Sequence, residues 1–393
     1  MAVRLHIRCA LRWLGAASCA FAFTAPARAA PDPLGIGAIY PELDALYVDL
    51  HQTPELSFHE EKTAAKLAER LRRLGFEVTS GVGRTGVVGV LRNGPGPTVL
   101  LRTDLDALPV EEKTGLSFAS KVKARNDAGE VVPVMHACGH DVHMTSWIGA
   151  ATLLSRGKDR WRGTVVMVGQ PAEEIVSGAA AMLADGLYTR FPKPDFAVAV
   201  HDQALLPAGQ VGFVPGFALS NMDTVEVTLY GRGGHGASPH RAVDPVLIAA
   251  KTVVALHTIV SREINPQDPA VVSVGSIHGG TKSNIIPEEV KLQITVRSYK
   301  EEVQKQLLAA IARVAKGEAA AAGAPREPSV VVDPHGTTRA TFNDEALTAK
   351  LTAVLRRALG DDNVVSFPRD MGSEDFSEYG HAGVPAVLFW VGA

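Results

Sequence analysis

The sequence predicts an α/β protein built on a mixed sheet and interrupted by an inserted α+β layer of four strands and two helices. Three observations lead there. Short continuous apolar runs at 99–101, 165–168, 196–200 and 386–391 are what strands buried on both faces look like, and helical patterns separate several of them. From about Gly216 the pattern changes to alternation, over 223–229 and 290–296, the mark of strands with one wet face. A chain of 393 residues exceeds one ordinary core, so two domains are expected.

Taken in order, the chain opens with Arg4, Arg8 and Arg12, an apolar run over 13–23, and a small-residue cleavage site at Ala27-Arg28-Ala29. Residues 1–29 are therefore expected to be a signal peptide, and the mature protein to be exported, periplasmic or secreted. The run is shorter than the roughly 20 residues that span a bilayer, so no membrane span is expected. Cys19 is the alternative, as a lipid attachment site, but a residue larger than Ala16 would be expected before it. No Arg-Arg pair supports twin-arginine export.

The catalytic domain is expected over 30–215 and again over 337–393. Its first helix falls at about 35–50. Ser57-Phe58-His59-Glu60 has the form of a capping box ahead of Ala64, Leu67, Ala68, Leu71 and Leu74, with Gly75 as the stop. Strands follow at 76–79 and 86–91, and a helix at 144–155 would hold the preceding stretch at its N-terminus. The inserted domain, 216–336, takes strands at 223–229, 271–277, 290–296 and 329–332 and helices at 245–264 and 301–322. Phe342-Asn343-Asp344-Glu345 begins the last helix, to Leu359, before the final buried strand.

Chemistry concentrates in Met135-His136-Ala137-Cys138-Gly139-His140-Asp141-Val142-His143. Cys9 and Cys19 leave with the leader, so Cys138 has no disulfide partner; burial, intermolecular pairing or metal binding must explain it, and the histidines favour metal. Three apolar runs end in similar chemistry: Arg102-Thr103-Asp104-Leu105-Asp106, Gly169-Gln170-Pro171-Ala172-Glu173-Glu174 and His201-Asp202. Strand carboxyl ends form the crevice of an open α/β sheet, so these groups can converge. Adjacent Glu173 and Glu174 point apart, which suits one carboxylate on a metal and its neighbour as general base. Apolar residues at 46%, charged residues at 21% and a formal charge of −3 with no basic block favour a small-molecule partner over nucleic acid.

Those stretches, with Gly233-Gly234-His235-Gly236-Ala237-Ser238-Pro239-His240 and Gly372-Ser373-Glu374-Asp375-Phe376, resemble the two-metal aminoacylase and carboxypeptidase family. Within it they are similar to the amidohydrolase branch of hippurate hydrolase and the plant auxin-conjugate hydrolases. The resemblance runs from about Tyr40 to the last residue. It implies a dinuclear metallohydrolase domain with two divalent ions about 3.5–4 Å apart sharing a water or hydroxide. It further implies Cys138, His140, Glu174 and His201 as ligands, Glu173 as general base and Asp104 as a carboxylate that orients a ligand. The inserted domain becomes a dimerisation lid, from which His235 reaches the partner subunit's site to stabilise an oxyanion. Asn284 joins His235 at the substrate, and Arg297 is a candidate for its carboxylate. The thiolate favours zinc; histidines and carboxylates also accept manganese or cobalt.

Two departures accompany the resemblance. The family's fifth ligand, a histidine after the final strand, has no counterpart, since His381 precedes that strand; a fragment is expected, or an enzyme with an impaired second metal. At His201-Asp202-Gln203 relatives commonly carry an aliphatic and an aromatic residue, which puts the pocket wall in question. The expected activity is hydrolysis of N-acyl amino acids or similar amides. The alternatives are an exported dipeptidase or carboxypeptidase, and a non-catalytic binding protein. Gly231-Arg232-Gly233-Gly234-His235-Gly236 also fits a dinucleotide fingerprint, but Pro239 and Pro245 prevent the immediate helix it needs.

Overall fold

The computed structural model describes residues 35–393, so the expected signal peptide lies outside them. The main sheet has eight strands in the spatial order Glu77–Val82, Gly86–Asn93, Gly163–Gln170, Thr98–Asp104, Phe196–Gln203, Ala386–Gly392, Val211–Phe213 and Val364–Ser366. Its four middle members, Gly163–Gln170 through Ala386–Gly392, are mutually parallel. Their carboxyl ends therefore share one edge. The outer members include antiparallel pairs, which makes the sheet mixed.

Both faces of those parallel strands are covered, as their apolar runs require. On one side Leu67, Leu71, Met144 and Trp147 bring the helices Glu61–Arg73 and His140–Arg156 onto the sheet. On the other, Leu100, Val166 and Leu388 meet Phe376 and Tyr379.

The capping box does not form. The helix begins at Glu61 with no side-chain cap. Ser57 Oγ donates instead to Asp106 Oδ2 at 2.6 Å, and Glu60 Oε1 accepts from the amides of Phe58 and Ala172. A buried carboxylate and a buried loop amide need partners more than a helix end open to water does. The helix expected from 144 starts earlier, at His140, because Gly139 takes the left-handed φ of 75° that turns the chain into it.

The second sheet runs Ala270–His278, Glu289–Ser298, Asn221–Tyr230 and Ser329–Thr338, with every neighbouring pair antiparallel. Helices Pro245–Thr258 and Glu301–Ala321 pack Ile248, Leu256, Leu307 and Ile311 against its inner face. The helix expected to reach 264 gives way to a π-helical turn at Ile259–Glu263. Pro245–Glu263 is also, among the described residues, the one stretch long and apolar enough to cross a membrane, but it buries one face in this core. A short pair, Gly216–Leu219 with Thr341–Asn343, joins the two sheets' territories.

Candidate metal centre

The parallel strand ends assemble the predicted donors. Ligand atoms of Cys138, His140 and His201 lie within 4.8 Å of one another, and so do those of His140, Glu173 and Glu174. Cys138 Sγ is 3.6 Å from His201 Nε2, and His140 Nε2 is 3.7 Å from both Glu173 Oε2 and Glu174 Oε1. His140 Nδ1 is held 2.7 Å from the Asp106 carbonyl oxygen, which turns the Nε2 lone pair toward the other donors. That Nε2 and Glu174 Oε1 are both buried with no hydrogen-bond partner. Orphaned acceptors of this kind cost about 1–3 kcal/mol each. A divalent cation would satisfy both, so Cys138, His140, Glu174 and His201 fit a metal in donor type and placement.

Glu173 and Glu174 sit on a loop that Asp106 organises. Its two carboxylate oxygens accept the amides of Glu173 and Glu174 at 2.9 and 3.0 Å. The loop holds Ala172 and Val176 at φ of 51° and 48°, unfavourable for residues with a Cβ. Burial, reinforced by Glu374 and Asp375, raises the Glu173 carboxyl well above the usual range. Burial pushes Glu174 up to about 7 against the pull of His140. Burial and the surrounding carboxylates likewise raise the Cys138 thiol, so it keeps its proton until a cation displaces it.

Behind them Arg102 lies buried among carboxyl groups. Arg102 donates to Asp104 Oδ2 and Glu374 Oε1, each at 2.7 Å, and to Asp375 Oδ1 at 3.2 Å. Asp104 also takes His143 Nδ1 at 2.8 Å. Burial opposes its charge, but His140, His143 and Arg102 prevail and hold it well below the carboxylate range. Asp104 thus spends its hydrogen bonds on His143 and Arg102; His140 takes its orienting bond from Asp106.

A cavity of about 390 Å³ opens over Glu173, Glu174, Cys138 and His201, with Trp390 and Arg297 in its wall. Arg297, from the second sheet, donates to the Met371 carbonyl at 3.0 Å. His235 and Asn284 are exposed and do not line this cavity: His235 Nδ1 accepts from the Ala237 amide, and the Asn284 carbonyl from that of Gly236. His381 bonds the Ala340 carbonyl, outside the group. Asp202 turns toward His143, whereas Gln203 lines the cavity, so of the two unusual residues after His201 the second reaches the pocket wall.

Sequence reasoning gave no role to Arg102, Asp106 or His143. Arg102 had a usable signal: a guanidinium inside a strand buried on both faces must be paired with carboxylates. Asp106 and His143 stand inside the quoted motifs, but their partners, Ser57 and the glutamate loop for the one and Asp104 and Asp202 for the other, are distant in the chain.

Residues 100–393 match the family model described as peptidase family M20/M25/M40. The thermostable carboxypeptidase 1 of Saccharolobus solfataricus is 37% identical over 347 residues, covering 87% of this chain and 84% of the relative. The hippurate hydrolase of Campylobacter jejuni is 35% identical over 337 residues, covering 85% and 84%. The crystal structure of the Bacillus subtilis YXEP protein, a dinuclear metal-binding peptidase of the M20 family, superposes with a TM-score of 0.74 at 30% identity, covering 91% of this chain and 89% of that one.

Proposed function

The chain belongs to peptidase family M20/M25/M40 and is therefore a hydrolase; we propose that it cleaves the amide bond of N-acyl amino acids, using two divalent ions and Glu173 as general base. The observation that carries this reading is the division of labour between adjacent carboxyls. Glu174 offers an orphaned oxygen to the donor cluster, while Glu173 stands beside it with its proton affinity raised by burial and by Glu374 and Asp375. A base so placed takes a proton from the attacking water and returns it to the leaving nitrogen. When bound, the ions supply Lewis acidity and lower the pKa of that water. Zinc suits the thiol, with manganese or cobalt as alternatives.

Arg297 in the cavity wall is positioned to fork onto a carboxylate of the substrate. A free carboxylate belongs equally to an N-acyl amino acid and to the last residue of a peptide, so a carboxypeptidase or dipeptidase reading shares this feature. Hippurate, an N-acetyl amino acid and a dipeptide, assayed side by side, distinguish them.

The protein further acts as an exported homodimer on this reading. His235 and Asn284, exposed and away from their own cavity, would serve the partner's site through the second sheet. The test of the central claim is Glu173→Gln in the metal-loaded protein. It is expected to keep its metal content, measured by elemental analysis, and to lose about 10²–10⁴-fold in kcat. Undiminished turnover would remove Glu173 from the mechanism.

A further inference from the structure

Asp202 follows the ligand-type His201, yet nothing in the proposed chemistry uses its side chain. It ends up braced against three parts of the metal site. Its Oδ1 lies 2.9 Å from His143 Nε2 and 3.3 Å from His201 Nδ1, a nitrogen whose hydrogen bond, at 2.7 Å, is to the Asp202 main-chain carbonyl. His143 follows His140 on the same helix by three residues; its ring centroid is 5.4 Å from that of His140 and 4.6 Å from that of His201. The opposite nitrogen of His143 is fixed by Asp104, so the ring is clamped between two carboxylates. On the third side stands the backbone of Gly139. A Cβ built there would come within 2.3 Å of Asp202 Oδ1, so the carboxylate fills the space that a side chain at 139 would need.

One carboxylate therefore meets the glycine between Cys138 and His140, the imidazole that packs between His140 and His201, and His201 itself. We propose that Asp202 is a positioning residue of the metal site, setting the spacing at which Cys138, His140 and His201 close on one ion. The proposal rests on the metal-hydrolase reading above. Its physical basis is general: groups that hold a ligand's orientation typically change metal affinity by about 10–100-fold when removed. A rival role exists, because His143, His201 and Asp202 also bring ligand atoms within 4.8 Å of one another, as a direct metal site would.

The test compares the parent chain with Asp202→Asn and Asp202→Ala, each loaded with cobalt(II). Three quantities are read: ions bound per chain, affinity by competition with a chelator, and the visible absorption of the bound cobalt, including the thiolate charge-transfer band. Asp202→Ala is expected to bind as many ions as the parent, about 10–100-fold more weakly, with altered cobalt bands. Asp202→Asn, which keeps the size and one acceptor oxygen, is expected to fall between them. Loss of a whole ion in Asp202→Ala makes Asp202 a ligand and overturns the proposal. So does an unchanged affinity and spectrum with only a lower Tm, the result of a merely structural role. A parent chain that binds no cobalt overturns both this proposal and the metal-hydrolase reading; a parent that binds it normally while the variants do so equally well overturns this proposal alone.

Discussion

Glu60 is buried between the Phe58 and Ala172 amides and the Thr85 hydroxyl, with the like charge of Asp106 acting against its own. Burial first, then Asp106, raises its pKa from 4.5 to about 7. The native state thus keeps a proton that the unfolded chain releases. Its contribution to stability is fully present below pH 4.5 and is lost as pH rises through 7, a change of about 3 kcal/mol. Glu60→Gln keeps an oxygen for the two amides and gains an N–H for the Thr85 oxygen. With chelator present, urea titrations of this variant are expected to show a flatter stability profile between pH 5 and 8. At pH 8 it should exceed the parent by about 1–3 kcal/mol. Equal destabilisation at both ends would mean that the charge of Glu60 is not what the fold resists. In the sequence Glu60 looks like half of a capping box, because local spacing carries no trace of the distant Ala172 amide.

At the scale of elements, the loop from Pro171 to Ser177 must hold Glu173 still while its backbone is strained. Asp106 grips two of its amides and Glu60 a third. The exit is fixed by Gly178, where an added Cβ would meet the Pro171 carbonyl oxygen at 1.5 Å. Gly178→Ala is therefore expected to push the loop off its anchor and to lower kcat by about 10–100-fold, since displacement by about 1 Å suffices for such a loss. Steady-state kinetics with Tm as a control measures it; an unchanged kcat would show that the loop tolerates the shift. The buried and the alternating strands were legible, because burial on one or both faces writes a continuous local signal. The three-residue strands Val211–Phe213 and Val364–Ser366 were not, since they are too short to show a period. Nor was the grip of Asp106 on the glutamate loop, which joins segments far apart in the chain.

At the scale of the whole molecule, the second sheet leaves Ala270–His278 as an edge strand, and Pro245–Thr258 exposes Leu247 and Val254 at 54% and 71%. Unpaired edges and apolar faces of this kind commonly mark association surfaces. On the proposed dimer, His235 acts only in the partner's site, and a mixture of two inactive proteins tests this. Glu173→Gln lacks the base but can lend His235; His235→Ala lacks the histidine but keeps its base. In a heterodimer of the two, the site carrying Glu173 receives an intact His235 from its partner, while the other site lacks both. Co-expression pairs them at random, so half the dimers are mixed and each holds one complete site, which restores about a quarter of the parent activity. If His235 acts within its own chain, every site in the mixture lacks one group and no activity returns. Adding Val254→Arg to both chains supplies the control. It should leave Tm near the parent value because the side chain is exposed, shift the species to monomer in sedimentation velocity, and abolish the rescue. Activity that survives in a monomer cannot come from a shared site and would overturn the assignment of His235 to the partner's cavity.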